Sequence, residues 1–297
     1  MTFRNDARLD TSRIQRRGAS AGAGGMVIGG GLGSLVILLI AMFTGFDLSS
    51  LGLGSGNSGS TVTANNPELQ QDLEQACQTG ADANARVDCL ITATINSLDA
   101  YWESAAPAAG VPSFTYPGVV LYDSMTSTPC GTASDQTGPF YCPPDQTIYV
   151  DTTFFNILTQ FGSSNGQLAQ EYVIAHEYGH HIQNLLGVFE VADRGGTGAN
   201  SDSVKVELMA DCLAGVWANH ASSVEGGSYL EPLTKQDIAD ALSAASSVGD
   251  DHIQQATQGS VDQDSFTHGT SAQREDNFLT GYRSGDAGAC DYFNVVR

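Results

Sequence analysis

Hydrophobic positions in "ARVDCLITATINSLDAYW" recur at helical spacing, so that Val87, Leu90, Ile91, Ile95, Leu98, Tyr101 and Trp102 share one face. Asn66-Pro67 opens an earlier helix, with an N-cap residue followed by proline at the first helical position. Between Ala106 and Pro144 proline and glycine break the pattern, and only "GVVLY" (118–122) and "TIYV" (147–150) read as short strands. Helices are then predicted over 153–161, over 167–186 with Gly187 as its stop, over about 203–221 and over 234–247. The sequence Thr270-Ser-Ala-Gln273 is a capping-box opening for a last helix. The pattern predicts an α+β domain, helix-dominated, with a small sheet.

One apolar run is of another kind. Residues 26–46, "MVIGGGLGSLVILLIAMFTGF", carry no charge, and as a helix they would span roughly 30 Å, the thickness of a bilayer core. A secretory signal would have a shorter apolar region followed by a small-residue cleavage site, and none follows Ala41. The expectation is an uncleaved transmembrane helix. Arg4, Arg8, Arg13, Arg16 and Arg17 precede it, which by the positive-inside rule makes residues 1–25 a cytoplasmic segment. Residues 47–65 are a Gly/Ser-rich linker, and 66–297 form one domain, expected outside a single-pass cell membrane anchor.

Composition sharpens this. Residues 47–297 hold 31 acidic and 7 basic side chains, which argues against nucleic acid as a partner. All six cysteines, Cys77, Cys89, Cys130, Cys142, Cys212 and Cys290, follow the apolar run, as disulfides in an oxidising compartment would. Fifteen pairings are possible. Proximity favours Cys77–Cys89 and Cys130–Cys142, which leaves Cys212–Cys290.

The chemistry lies in "AHEYGHH". His176 and His180 stand one turn apart on a predicted helix, so both imidazoles can reach one metal ion. Glu177, about 100° round from His176, can reach a metal-bound water without being a ligand. Taken alone, the motif could be a polar helix face. The metzincin continuation fails, because Gln183 and Leu186 stand where its glycine and third histidine belong. A third ligand is offered instead by Glu207, with Asp211 one turn on, inside the otherwise apolar "ELMADCLAGVWA". Glu207 would complete a two-histidine, one-glutamate set, and Asp211 would orient one histidine through its other ring nitrogen.

"AHEYGHHIQNLLG" and "ELMADCLAGVWA", with "CQTGADANARVDC", "CGTASDQTGPFYCPPDQTIYVD" and "FTHGTSAQREDNFLTGY", resemble the bacterial neutral zinc metallopeptidase family, membrane-anchored and of gluzincin type. The resemblance covers most of residues 67–297. It implies a zincin-like metallopeptidase domain acting on a peptide or protein substrate. It also implies Zn2+ held by His176, His180 and Glu207, with Glu177 as catalytic base and Asp211 behind the ligands. Gluzincins commonly add a histidine or tyrosine donor for the developing oxyanion; His268 is the candidate, against a reading in which it only caps the following helix. His181 reads as a core or supporting residue, and His220 and His252 as surface. Two other functions stay open at this stage. One is a zinc hydrolase of a non-protein amide, such as a cell-wall amide. The other is a non-catalytic zinc-stabilised binding module, its fourth metal position closed by His181 or His268.

Overall fold

The computed structural model describes residues 2–18, 65–134, 137–223 and 228–297. In chain order its elements begin with strand β1 (Ile14–Arg16), helices α1 (Pro67–Ala76), α2 (Gly80–Ala83) and α3 (Val87–Ala109), and strands β2 (Gly118–Tyr122), β3 (Met125–Thr128), β4 (Gly131–Ser134), β5 (Phe140–Cys142) and β6 (Thr147–Asp151). There follow helices α4 (Phe154–Gln160), α5 (Gln167–Leu186), α6 (Val188–Val191), α7 (Asp202–His220), α8 (Lys235–Ser247), α9 (Asp250–Gln258) and α10 (Ser271–Ser284). The strands form a four-stranded sheet in the order β1-β2-β6-β5 and a separate β3–β4 hairpin. The first three strands of the sheet are parallel, and β5 pairs antiparallel with β6.

Local chemistry explains the helix ends. The Asn66 side chain accepts from the backbone N–H groups of Glu68 and Leu69. Thr234 with Asp237, and Thr270 with Gln273, form complete capping boxes at α8 and α10. Gly187 stops α5 at φ +80°, a conformation that costs other residues more. The largest apolar cluster lies between α3, α5, α7 and the sheet, with Trp102 and Trp217 fully buried in it.

Two crossings set the backbone geometry of the site. Where α7 meets α10, a Cβ on Gly281 would lie 1.9 Å from the Cys212 carbonyl oxygen, and one on Gly215 would lie 2.1 Å from that of Phe278. Only glycine lets these backbones approach so closely. Cys212 is also bonded to Cys290, and the other disulfides are Cys77–Cys89 and Cys130–Cys142.

The amino-terminal residues overturn part of the sequence reading. Phe3 is buried and bridges Leu230, and β1 pairs with β2. Arg13 pairs with Asp99, and Arg16 lies 2.8 Å from Asp123. Arg17 donates to Thr126 and its guanidinium sits over the Tyr149 ring. Three of the arginines that read as a topology signal are thus held by the folded domain, and residues 2–18 lie on the same side of any boundary as residues 65–297. The run 26–46 and nearly all of the linker lie outside the described residues. Among the described residues no helix is long and apolar enough to cross a membrane. The expected fold with one transmembrane helix, and the single-pass location with a cytoplasmic N-terminus, are corrected accordingly.

Arg17 and Asn65 form an antiparallel bridge, so the chain returns at 65 to the place it left at 18. Replacing residues 19–64 by a short Gly/Ser connector is therefore expected to leave the fold and its melting temperature unchanged; loss of the cooperative transition in a thermal scan would count against this.

The arm also closes over a buried acid. The Thr2 hydroxyl donates to Glu171, which is fully buried and whose Oε2 has no hydrogen-bond partner. Burial pushes the Glu171 pKa from 4.5 to about 8, the Thr2 bond opposing. The fold favours the neutral acid, so this group's contribution to stability is full below pH 4.5 and is lost as pH rises to about 8. Glu171→Gln should remove that dependence and melt several degrees above wild type at pH 8 but not at pH 4.5. Calorimetry at the two pH values checks it, and identical pH slopes would refute it.

Candidate metal centre

Helix α5 carries Tyr172, His176, Glu177, His180, His181 and Gln183, all buried. It crosses α7 at Gly179, where an added Cβ would lie 3.0 Å from the Ala210 carbonyl oxygen. That approach brings α7's Glu207 between the two histidines. Glu207 Oε2 lies 3.1 Å from His176 Nε2, and Oε1 lies 3.5 Å from His180 Nε2. One ligand atom from each of the three residues lies within 4.8 Å of the others.

The remaining ring nitrogens are engaged elsewhere. His176 Nδ1 lies 2.7 Å from Asp211 Oδ1, and His180 Nδ1 lies 2.8 Å from Gln183 Oε1. Gln183 in turn donates to the Val206 carbonyl at 2.6 Å, which fixes its amide. Both Nε2 atoms are thus turned toward Glu207. Two imidazole nitrogens and a carboxylate in one buried cluster are a donor set that suits zinc.

Asp211, one turn beyond Glu207, is wholly buried. Arg274 of α10, 4% exposed, donates to it twice, from Nε at 2.8 Å and Nη2 at 2.9 Å, and from Nη2 to the Tyr172 hydroxyl at 3.2 Å. Sequence reasoning did not single out Arg274. Its signal was a charged residue four positions before Phe278 on the inward face of α10.

The electrostatics follow from burial and neighbours. Burial lowers the His180 pKa to about 4. For His176 burial also pulls down, but Asp211 and Glu207 outweigh it and lift the pKa to about 10. Burial raises Glu207 and Asp211, yet their neighbours win: His180 and His176 hold Glu207 below the usual range, and Arg274 and His176 hold Asp211 below it. Burial raises Glu177 to about 8, with His176 opposing and Glu207 adding. Its Oε2 has no hydrogen-bond partner.

His268 lines the same cleft as His176, Glu177, Glu207 and Arg274, together with the apolar residues Pro139, Phe154, Val173 and Val248. Its Nδ1 lies 3.2 Å from Asp250 Oδ1. Asp250 also accepts the backbone N–H groups of Thr267, His268 and Gly269, which pins this loop. The helix cap is Thr270, so capping is not the role of His268. Burial lowers the His268 pKa, but Asp250 outweighs it and the net shift is upward. His181 is turned away from the cluster, with Nε2 2.7 Å from the Thr115 carbonyl oxygen and Nδ1 3.0 Å from the Tyr141 hydroxyl. His252 is exposed, whereas His220 is half-buried, stacked on Tyr101 and 2.9 Å from the Gly285 carbonyl oxygen.

A two-histidine, one-glutamate cluster on crossed helices, with a further buried carboxyl group beside it in a cleft, is the kind of donor set that zinc-dependent metallopeptidases use. More particularly, the chain belongs to the family described as "Putative neutral zinc metallopeptidase", whose model matches residues 1–293. That family implies Zn2+ as the cofactor. The chain is 52% identical to the uncharacterized protein Rv2575 of Mycobacterium tuberculosis over 76% of each chain. It is 36% identical to the uncharacterized protein YpfJ of Escherichia coli K12, over 98% of this chain and 96% of YpfJ. No solved structure matches.

Proposed function

We propose that the chain is a zinc-dependent peptidase that hydrolyses peptide bonds, with His176, His180 and Glu207 as the zinc ligands and Glu177 as general base. The observation that carries this reading is the convergence of both Nε2 atoms on Glu207 with Glu177 alongside. Zinc bound there would supply a Lewis acid and a water whose pKa falls to about 7 in well-tuned sites.

The chain's own residues account for the remaining steps. Glu177 takes a proton from the water that attacks the peptide carbonyl and passes it to the departing amine nitrogen. A carboxyl group raised by burial suits both duties, since it must accept and then release the same proton. His268, oriented by Asp250, donates to the carbonyl oxygen as negative charge develops on it. Asp211 fixes the ring of His176, and Gln183 fixes that of His180. Arg274 balances the buried charge of Asp211. Phe154 and Val173 add apolar surface to the cleft lining, which disfavours water there.

The test is hydrolysis of an unfolded protein by the purified chain, abolished by a chelator and restored by zinc. Stoichiometric zinc in wild type should be lost in His180→Ala. Chelator-insensitive hydrolysis, or tight zinc retained by His180→Ala, would overturn the assignment.

A further inference from the structure

Glu177, His181 and Asn184 lie at positions i, i+4 and i+7 of α5 and so share one face. Tyr141 of β5 meets that face twice. Its hydroxyl accepts from Asn184 Nδ2 at 3.0 Å and lies 3.0 Å from His181 Nδ1.

The direction of each bond can be worked out. His181 Nε2 faces the Thr115 carbonyl oxygen, which can only accept, so the ring proton sits on Nε2. Nδ1 is then an acceptor, and the Tyr141 hydroxyl donates to it. The series Asn184 to Tyr141 to His181 to Thr115 is satisfied in one sense only. Tyr141 is 3% exposed and His181 fully buried, so no solvent can replace a bond lost there. Neither residue lines the cleft, whereas Gly138 and Pro139, just before Tyr141, do.

We propose that Tyr141 and His181 are positioning residues, which lock β5 in register on α5 and so hold the Gly138–Pro139 part of the cleft in place beside Glu177. The consequence for turnover rests on the peptidase reading above; the register itself does not.

Tyr141→Phe removes only the hydroxyl, His181→Ala removes its acceptor, and His181→Gln can restore both a donor and an acceptor. Each is measured for bound zinc, for kcat and KM on a substrate cleaved by wild type, and for amide hydrogen exchange of residues 138–142. Tyr141→Phe and His181→Ala should keep stoichiometric zinc, exchange faster over 138–142, and lose about 10- to 100-fold in kcat with little change in KM. His181→Gln should recover most of both losses. Wild-type exchange in Tyr141→Phe would overturn the register claim, and faster exchange with wild-type kcat would overturn the link from that register to turnover. Should Tyr141→Phe not fold, Asn184→Ala at its half-buried position takes its place with the same readouts. If wild type cleaves nothing, the peptidase reading fails by itself, and the exchange measurement still decides the register.

Discussion

Glu177→Gln is expected to retain stoichiometric zinc and to lose hydrolysis by about 10³-fold, within the 10²- to 10⁴-fold range that a positioned acid–base group contributes. Glutamine fills the same volume but cannot accept a proton. Nothing in the ligand set depends on the exchange, because Glu177 Oε2 has no hydrogen-bond partner and the two histidines are oriented by Asp211 and Gln183. Burial of a neutral amide there is also easier than burial of a carboxylate, so stability should rise slightly or stay level. Metal analysis alongside steady-state kinetics separates the two roles. Zinc lost with activity would make Glu177 a ligand, and activity kept would remove it from the chemistry.

Gly281→Ala should damage the site from a distance. Its Cβ would fall 1.9 Å from the Cys212 carbonyl oxygen and 2.8 Å from the Val216 nitrogen, both backbone atoms of α7. A side chain could rotate away, but a helix backbone has to translate. The expected cost is about 3 kcal/mol, equivalent to a fall of roughly 6–12 °C in melting temperature for a domain of this size. Because α10 brings Arg274 to Asp211, any separation of α7 and α10 also loosens the carboxylate behind His176. Zinc affinity should therefore fall together with stability. A variant with wild-type melting temperature and zinc affinity would show that the crossing tolerates the methyl group.

The site was legible where its parts share a helix or a short spacing. His176, Glu177 and His180 follow from one helical turn, and Glu207 and Asp211 from another. The capping box at Thr270 was visible for the same reason. Gln183 shares the helix of His180, yet it was read only as a departure from another motif. Arg274 and Asp250 act through contacts to Asp211 and His268, 63 and 18 residues away, which no local period encodes. Strands β3, β4 and β5, each of three or four residues, are too short for alternation to register. The amino-terminal arm misled for a different reason. Arginines beside an apolar run carry the same signal whether they face lipid headgroups or the carboxylates of Asp99 and Asp123, and those partners are 86 and 107 residues distant.

The same arm fixes an order of events in synthesis. Residues 2–18 leave the ribosome well before several of their partners: β2 at residue 118, the Glu171 turn of α5, and finally Leu230. Until then the burial of Phe3 and Ile14 is incomplete, and the edge of β2 lies open. Contacts of such long sequence separation form slowly. Docking of this early segment should thus be among the last steps of folding, and the step at which a nascent chain is most exposed to aggregation.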